Sequence, residues 1–216
     1  DWDPEYLRYT PPTYVDDVIG LLSAEGIERV MVVGTSLGGL MAMIIAAKAP
    51  GLLAGAVLND IGPELAPEGL ARLLQHVGRR PNVASWEAAI SQAKEAYSDG
   101  LPGLSESEWE ALTRRSYRAF GPEDIRLDFD PKIGDAAREA GAALVDPWEL
   151  FGALKTTPTL ALRGEISDIL SKETFEKMGE VVPDLIRVTV PRRGHVPLLD
   201  EPESLFAIEG FLAAQP

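Results

Sequence analysis

Gly34-Thr35-Ser36-Leu37-Gly38 sets one serine between two glycines, at the spacing a nucleophile needs where a strand turns sharply into a helix. The apolar run Arg29-Val30-Met31-Val32-Val33 precedes it and Leu40 to Ala49, rich in Ala, Met and Ile, follows. The first reads as a buried parallel strand, the second as a buried helix stopped by Pro50-Gly51. In such a turn Ser36 Oγ stands clear of the sheet. The N–H of Leu37 and the helix N-terminus then face the oxyanion that forms when the serine attacks a carbonyl. Bulk at Gly34 or Gly38 is expected to collide with the neighbouring strand and helix. The plainer alternative is a Gly-rich turn in which Ser36 caps the helix or the turn binds a phosphate, but neither P-loop nor dinucleotide-fold spacing is present.

A serine hydroxyl needs a base within hydrogen-bond reach. The chain has two histidines. His195, in Arg192-Arg193-Gly194-His195-Val196-Pro197, follows a strand-like run and precedes the last helix. Its loop is on the C-terminal side of a strand, as Ser36 is, and active sites of open α/β sheets collect there. His76 has apolar neighbours and reads as a packing or lid residue. A carboxylate should orient the imidazole and stabilise its charged form. Leu162-Arg163-Gly164-Glu165-Ile166-Ser167-Asp168 offers Asp168 as the first choice and Glu165, nearer the strand, as an alternative. Asp60, just after another strand, is a weaker alternative, and Asp168 could instead simply cap the helix near Ser171.

The elements that would position these side chains alternate. Thr13 to Gly26 has helical spacing, with Thr13 as N-cap and Gly26 as stop. Strand-like runs are Arg29 to Val33, Leu53 to Asn59, Thr159 to Leu162 and Ile186 to Val190. Helical patterns cover Ser171 to Val182 and Glu201 to Ala213. Such alternation predicts an α/β fold with a mostly parallel sheet. Asp1 to Pro12 reads as an extended opening segment. Residues 62–151 differ: they hold Trp86, Trp109 and Trp148, many acids, and helical patterns broken by Gly and Pro. They read as a helical lid between core parts 1–61 and 152–216. Trp86, Trp109 and Trp148, with Tyr97, Tyr117 and Phe120, are candidates for an apolar substrate pocket, although for most of them packing within the lid is the favoured expectation.

The 216 residues suit one domain with an insertion. A formal charge of -14 argues against nucleic acid, whose phosphates need Lys and Arg, and against anionic membranes. No apolar run is long enough to span a bilayer. The chain has no cysteine, which excludes disulfides, thiolate metal sites and a cysteine nucleophile. A cytoplasmic location is expected, with a targeting segment upstream of Asp1 left open. No metal ligand set and no cofactor are implied.

With these residues in place, the chain resembles the α/β-hydrolase superfamily over nearly its whole length. The likeness rests on the Thr13–Gly26 helix, Val32-Val33-Gly34-Thr35-Ser36-Leu37-Gly38-Gly39, Leu160 through Asp168, and Gly194-His195-Val196-Pro197-Leu198-Leu199-Asp200-Glu201-Pro202. Within the superfamily it is similar to bacterial lidded serine hydrolases, including enol-lactonases and meta-cleavage C–C hydrolases. The resemblance implies Ser36 as nucleophile, Leu37 N–H as one oxyanion donor, Asp168 as acid and His195 as base, in the Ser…Asp…His chain order of that fold. Haloalkane dehalogenases carry Asp where this chain has Ser36.

The resemblance also implies four strands before the serine strand, and a loop giving a second oxyanion N–H. Neither is in this chain, so the N-terminal half of the sheet is absent and the serine strand should present an open apolar edge. A further N-terminal segment of the same protein, or another chain, is expected to pair with it. The expected activity is hydrolysis of a small-molecule carboxylic ester or lactone through an acyl-enzyme. Alternatives are C–C bond hydrolysis, acyl or peroxide-accepting transfer on the same site, or an incomplete, inactive binding fragment.

Overall fold

The computed structural model describes residues 8–139 and 146–215; most of the expected opening segment lies outside them. Its core runs α1 (Pro11–Ala24), β1 (Val30–Thr35), α2 (Leu37–Lys48), β2 (Leu53–Asn59). An insertion follows, with α3 (Pro67–His76), α4 (Trp86–Tyr97), α5 (Glu106–Ser116), β3 (Tyr117–Gly121), β4 (Asp124–Leu127) and α6 (Ile133–Glu139). The core resumes with α7 (Pro147–Gly152), a 3-10 turn, β5 (Thr159–Gly164), α8 (Lys172–Val181), β6 (Ile186–Val190) and α9 (Pro202–Ala213).

The sheet order is β1-β2-β5-β6, with all neighbours parallel. β5 is buried at every position, as a strand covered on both faces must be. One face packs Ala56, Leu58 and Ala161 against Val15, Met43, Ile45, Phe151, Phe175 and Met178 of α1, α2, α7 and α8. The other packs Val57, Leu160, Leu162 and Val190 against Phe211 of α9. Fully burying a side chain such as Met43, Ile45 or Leu58 contributes about 1.5–3 kcal/mol. β1 is the sheet edge: among the described residues only β2 pairs with it, and Val33 remains 48% exposed.

Several expectations shift. The first helix starts earlier, with Thr10 rather than Thr13 as N-cap; Pro11 and Pro12 fill the first turn, where a missing N–H costs nothing. The insertion is not purely helical, because β3 and β4 form an antiparallel hairpin packed against α4 through Ala89, Ala93, Tyr117 and Ile125. Its last stretch also joins the core. α7 packs on α2 and α8, Phe151 is fully buried there, and Trp148 meets the Phe151 ring edge-on at 6.3 Å.

Candidate active site

Ser36 sits at the turn between β1 and α2 with φ 49 and ψ -112, a conformation that costs a non-glycine residue strain. The turn is tight for a visible reason. A Cβ on Gly34 would lie 2.4 Å from the Gly38 carbonyl, and one on Gly39 would lie 2.3 Å from Ile61 Cγ2. Gly38 meets no described atom within 4 Å, so the clash expected there belongs to Gly39. Leu37 opens α2, where first-turn N–H groups lack intrahelical acceptors.

His195 lies beyond β6, and its Nε2 is 3.1 Å from Ser36 Oγ. Its Nδ1 is 2.8 Å from Asp60 Oδ2. Asp60 is fully buried and the imidazole is 7% exposed. A carboxylate at Nδ1 fixes the proton there, so Nδ1–H donates to Asp60 and Nε2 is left to accept the serine hydroxyl. Asp60 is held in turn by Gly164 N–H on Oδ1 at 2.8 Å and by Ser167 Oγ–H on Oδ2 at 2.6 Å. Its carboxylate is thus satisfied without solvent.

Asp168 does not occupy this position, and neither does Glu165. Asp168 is partly exposed and accepts from Arg72 of α3 at both oxygens, Nε to Oδ2 at 2.6 Å and Nη2 to Oδ1 at 2.9 Å. The Arg72 hydrogen bond holds its carboxyl below the usual aspartate range. Glu165 accepts from the N–H of Arg192 at 2.8 Å. The reason is register. Thr35 of β1 pairs with Asn59 of β2, and Ser36 N–H donates to the Asn59 carbonyl, so the next residue, Asp60, stands beside Ser36. Asp168 lies four residues past β5, under the insertion.

The His195 loop is clamped from three sides. The Glu201 carboxylate accepts from Arg193 Nε, Leu198 N–H, Leu199 N–H and Ser204 Oγ, bracketing His195. A Cβ on Gly164 would lie 2.4 Å from the Arg193 carbonyl. Gly194 N–H donates to the Gly100 carbonyl of the insertion at 2.7 Å, and a Cβ on Gly194 would lie 2.8 Å from Gly100 Cα.

Two cavities meet at the imidazole. One, of about 360 Å³, is lined by Arg72, His76, Tyr97, Leu127 and Phe129 as well as His195. The other, of about 310 Å³, includes Ser36, Tyr97, Leu112, Tyr117, Leu127 and His195. Burial pushes the Tyr117 phenol up to about 12, so it stays protonated, and it donates to Gln92 Oε1. The tryptophans expected in the pocket are not among the lining residues of either cavity. Trp109 is buried, Trp86 stacks under the Arg114 guanidinium, and Trp148 lies beneath Lys177 Nζ and donates to Glu64. Among the described residues no cluster of three metal-ligating side chains exists, and no helix is long and apolar enough to cross a membrane.

Residues 3–208 match the alpha/beta hydrolase family. The chain belongs to that family. It is 42% identical to a crystal structure of an alpha/beta hydrolase from Novosphingobium aromaticivorans, with a TM-score of 0.92 over 99% of this chain and 75% of that one. It is 30% identical to the 2-(acetamidomethylene)succinate hydrolase of Mesorhizobium japonicum, covering 95% of this chain and 72% of that protein. It is 27% identical, with the same coverage, to the 3-hydroxybutyrate-oligomer hydrolase of Cupriavidus necator. The protein is therefore an enzyme of the hydrolase class, on the α/β-hydrolase fold expected from its sequence.

Proposed function

We propose that this α/β-hydrolase cleaves a small-molecule carboxylic ester or lactone through an acyl-enzyme on Ser36. The observation that carries this reading is the continuous chain Ser36 Oγ–His195 Nε2–His195 Nδ1–Asp60 Oδ2, with links of 3.1 and 2.8 Å. His195 Nε2 takes the hydroxyl proton as Ser36 Oγ bonds to the carbonyl carbon. Asp60 stabilises the imidazolium, and the N–H of Leu37 donates to the oxyanion. The same proton then passes to the leaving alkoxide. Water, deprotonated by His195, attacks the acyl-enzyme and releases the acid.

The named activities of the curated relatives, on a succinate derivative and on hydroxybutyrate oligomers, support hydrolysis of a small substrate. A fluorophosphonate probe should label the intact protein once, at Ser36, and Ser36→Ala should abolish both labelling and turnover of p-nitrophenyl butyrate. Labelling that persists in the alanine variant would overturn the assignment.

We also propose that the outer edge of β1 is paired in the intact protein by a strand outside these residues. The unpaired edge and the exposure of Val33 and Leu37 beside it support this. The expected intact mass of the active species, or of its complex, exceeds that of these 216 residues. Full activity at that mass alone would refute it.

A further inference from the structure

We infer that the cavity on the α3 side of His195 is a carboxylate-binding subsite, and that the substrate is an ester or lactone carrying a free acid group. This rests on the acyl-enzyme reading above and names its substrate class. The two cavities that share the imidazole differ in charge. The α3-side cavity carries Arg72 and His76 on its wall, spaced four residues apart and so on one helix face. The other cavity has no ionisable lining besides His195 and two tyrosines. Neither wall includes an Asp or Glu, although acids outnumber Lys and Arg by 34 to 20 in the chain.

Arg72 is prepared for a second anion. Asp168 takes Nε–H and one Nη2–H, a side-on pairing that fixes the plane of the guanidinium. Three of its five N–H donors remain: the second on Nη2 and both on Nη1, which has no hydrogen-bond partner among the described residues. Asp168 itself is not on the cavity wall, so it anchors the arginine without lining the space a ligand would enter. His76 adds an imidazole N–H donor to the same wall. A substrate lying across both cavities would place its carboxylate against Arg72 and its apolar portion against Leu112 and Tyr117, with the scissile carbonyl at Ser36.

Steady-state kinetics of the intact protein test this with two esters of matched length: mono-p-nitrophenyl succinate, which is anionic, and p-nitrophenyl butyrate, which is neutral. The readout is the ratio of their kcat/KM values. Arg72→Gln should lower the ratio by about tenfold or more, through KM for the anionic ester, with Arg72→Lys intermediate. His76→Glu, which leaves the Arg72–Asp168 pair in place, should lower it as well. If Arg72 only fastens the insertion to the core, both esters fall together, the ratio stays constant, and the subsite is refuted. If the wild type hydrolyses neither ester and Ser36 resists the fluorophosphonate, the acyl-enzyme reading itself has failed instead.

Discussion

Asp60 meets the imidazole of His195 at 2.8 Å from 135 positions earlier in the chain, from the first residue beyond β2. Ser36, Asp60 and the donors that hold Asp60 thus gather on the adjacent ends of β1, β2 and β5. Asp60→Asn should lower kcat by on the order of 10³–10⁴-fold, because an amide both loses the charge and permits the wrong imidazole tautomer. Asp168→Asn, measured on the same neutral ester, should fall far less. Equal losses would return the acid role to Asp168.

Two glycines, Gly34 in the turn before Ser36 and Gly20 in α1, should respond oppositely to alanine. Gly34→Ala puts a methyl group 2.4 Å from main-chain atoms of Gly38, which cannot yield as a side chain can, so soluble, labelled protein should be lost. Gly20 lies inside α1 with no atom within 4 Å of its Cβ position. Gly20→Ala should stabilise by up to about 1 kcal/mol, seen as a thermal midpoint raised by roughly 2–4 °C.

Glu201 gives the stability curve an acid-side signature. Burial raises its carboxyl, but the Leu198 N–H, Ser204 and Arg193 bonds outweigh burial and leave it below 4.5. A depressed carboxyl contributes its stability above its unfolded value and loses it as pH falls through the folded one. Glu201→Gln leaves the largely buried Arg193 guanidinium without its counter-charge and should cost about 3 kcal/mol. Thermal melts should show a constant gap to wild type from about pH 6 to 8, closing only below 4.5. A gap that widens in acid would contradict this.

The insertion reaches the base through Gly100. Gly194→Ala should push the two main chains apart and displace the imidazole, lowering kcat by about tenfold or more. Fluorophosphonate labelling should slow in proportion, while circular dichroism stays near that of the wild type.

Ser36 and His195 were legible because each has a local signature: a glycine-bounded turn after an apolar run, and a lone histidine after the last strand. The carboxylate that meets His195 was not, because three carboxylates follow strands and only strand register selects among them. Thr35 opposite Asn59 puts Asp60 beside Ser36, and that pairing is a long-range fact. The sheet core read correctly because β1, β2 and β5 carry the apolar runs 30–33, 53–58 and 160–162, while β6 shows the alternation Ile186-Arg187-Val188-Thr189-Val190. The hairpin was hidden because its alternation, Asp124-Ile125-Arg126-Leu127, is only four residues long and Ile125 alone is buried. Of the aromatics, Tyr97 and Tyr117 line the cavities and the tryptophans pack elsewhere, because ring size speaks for burial and not for which surface the ring meets.

Gly194 and Gly100 touch backbone to backbone, with no side chain between them. The roof of the site is therefore located relative to the base by atoms that every amino acid shares. Side chains around the two cavities can change in size and charge while the imidazole stays where Asp60 and Ser36 need it. Selectivity and reactivity are in this sense separately adjustable, and a new substrate can be accommodated by revising the walls alone.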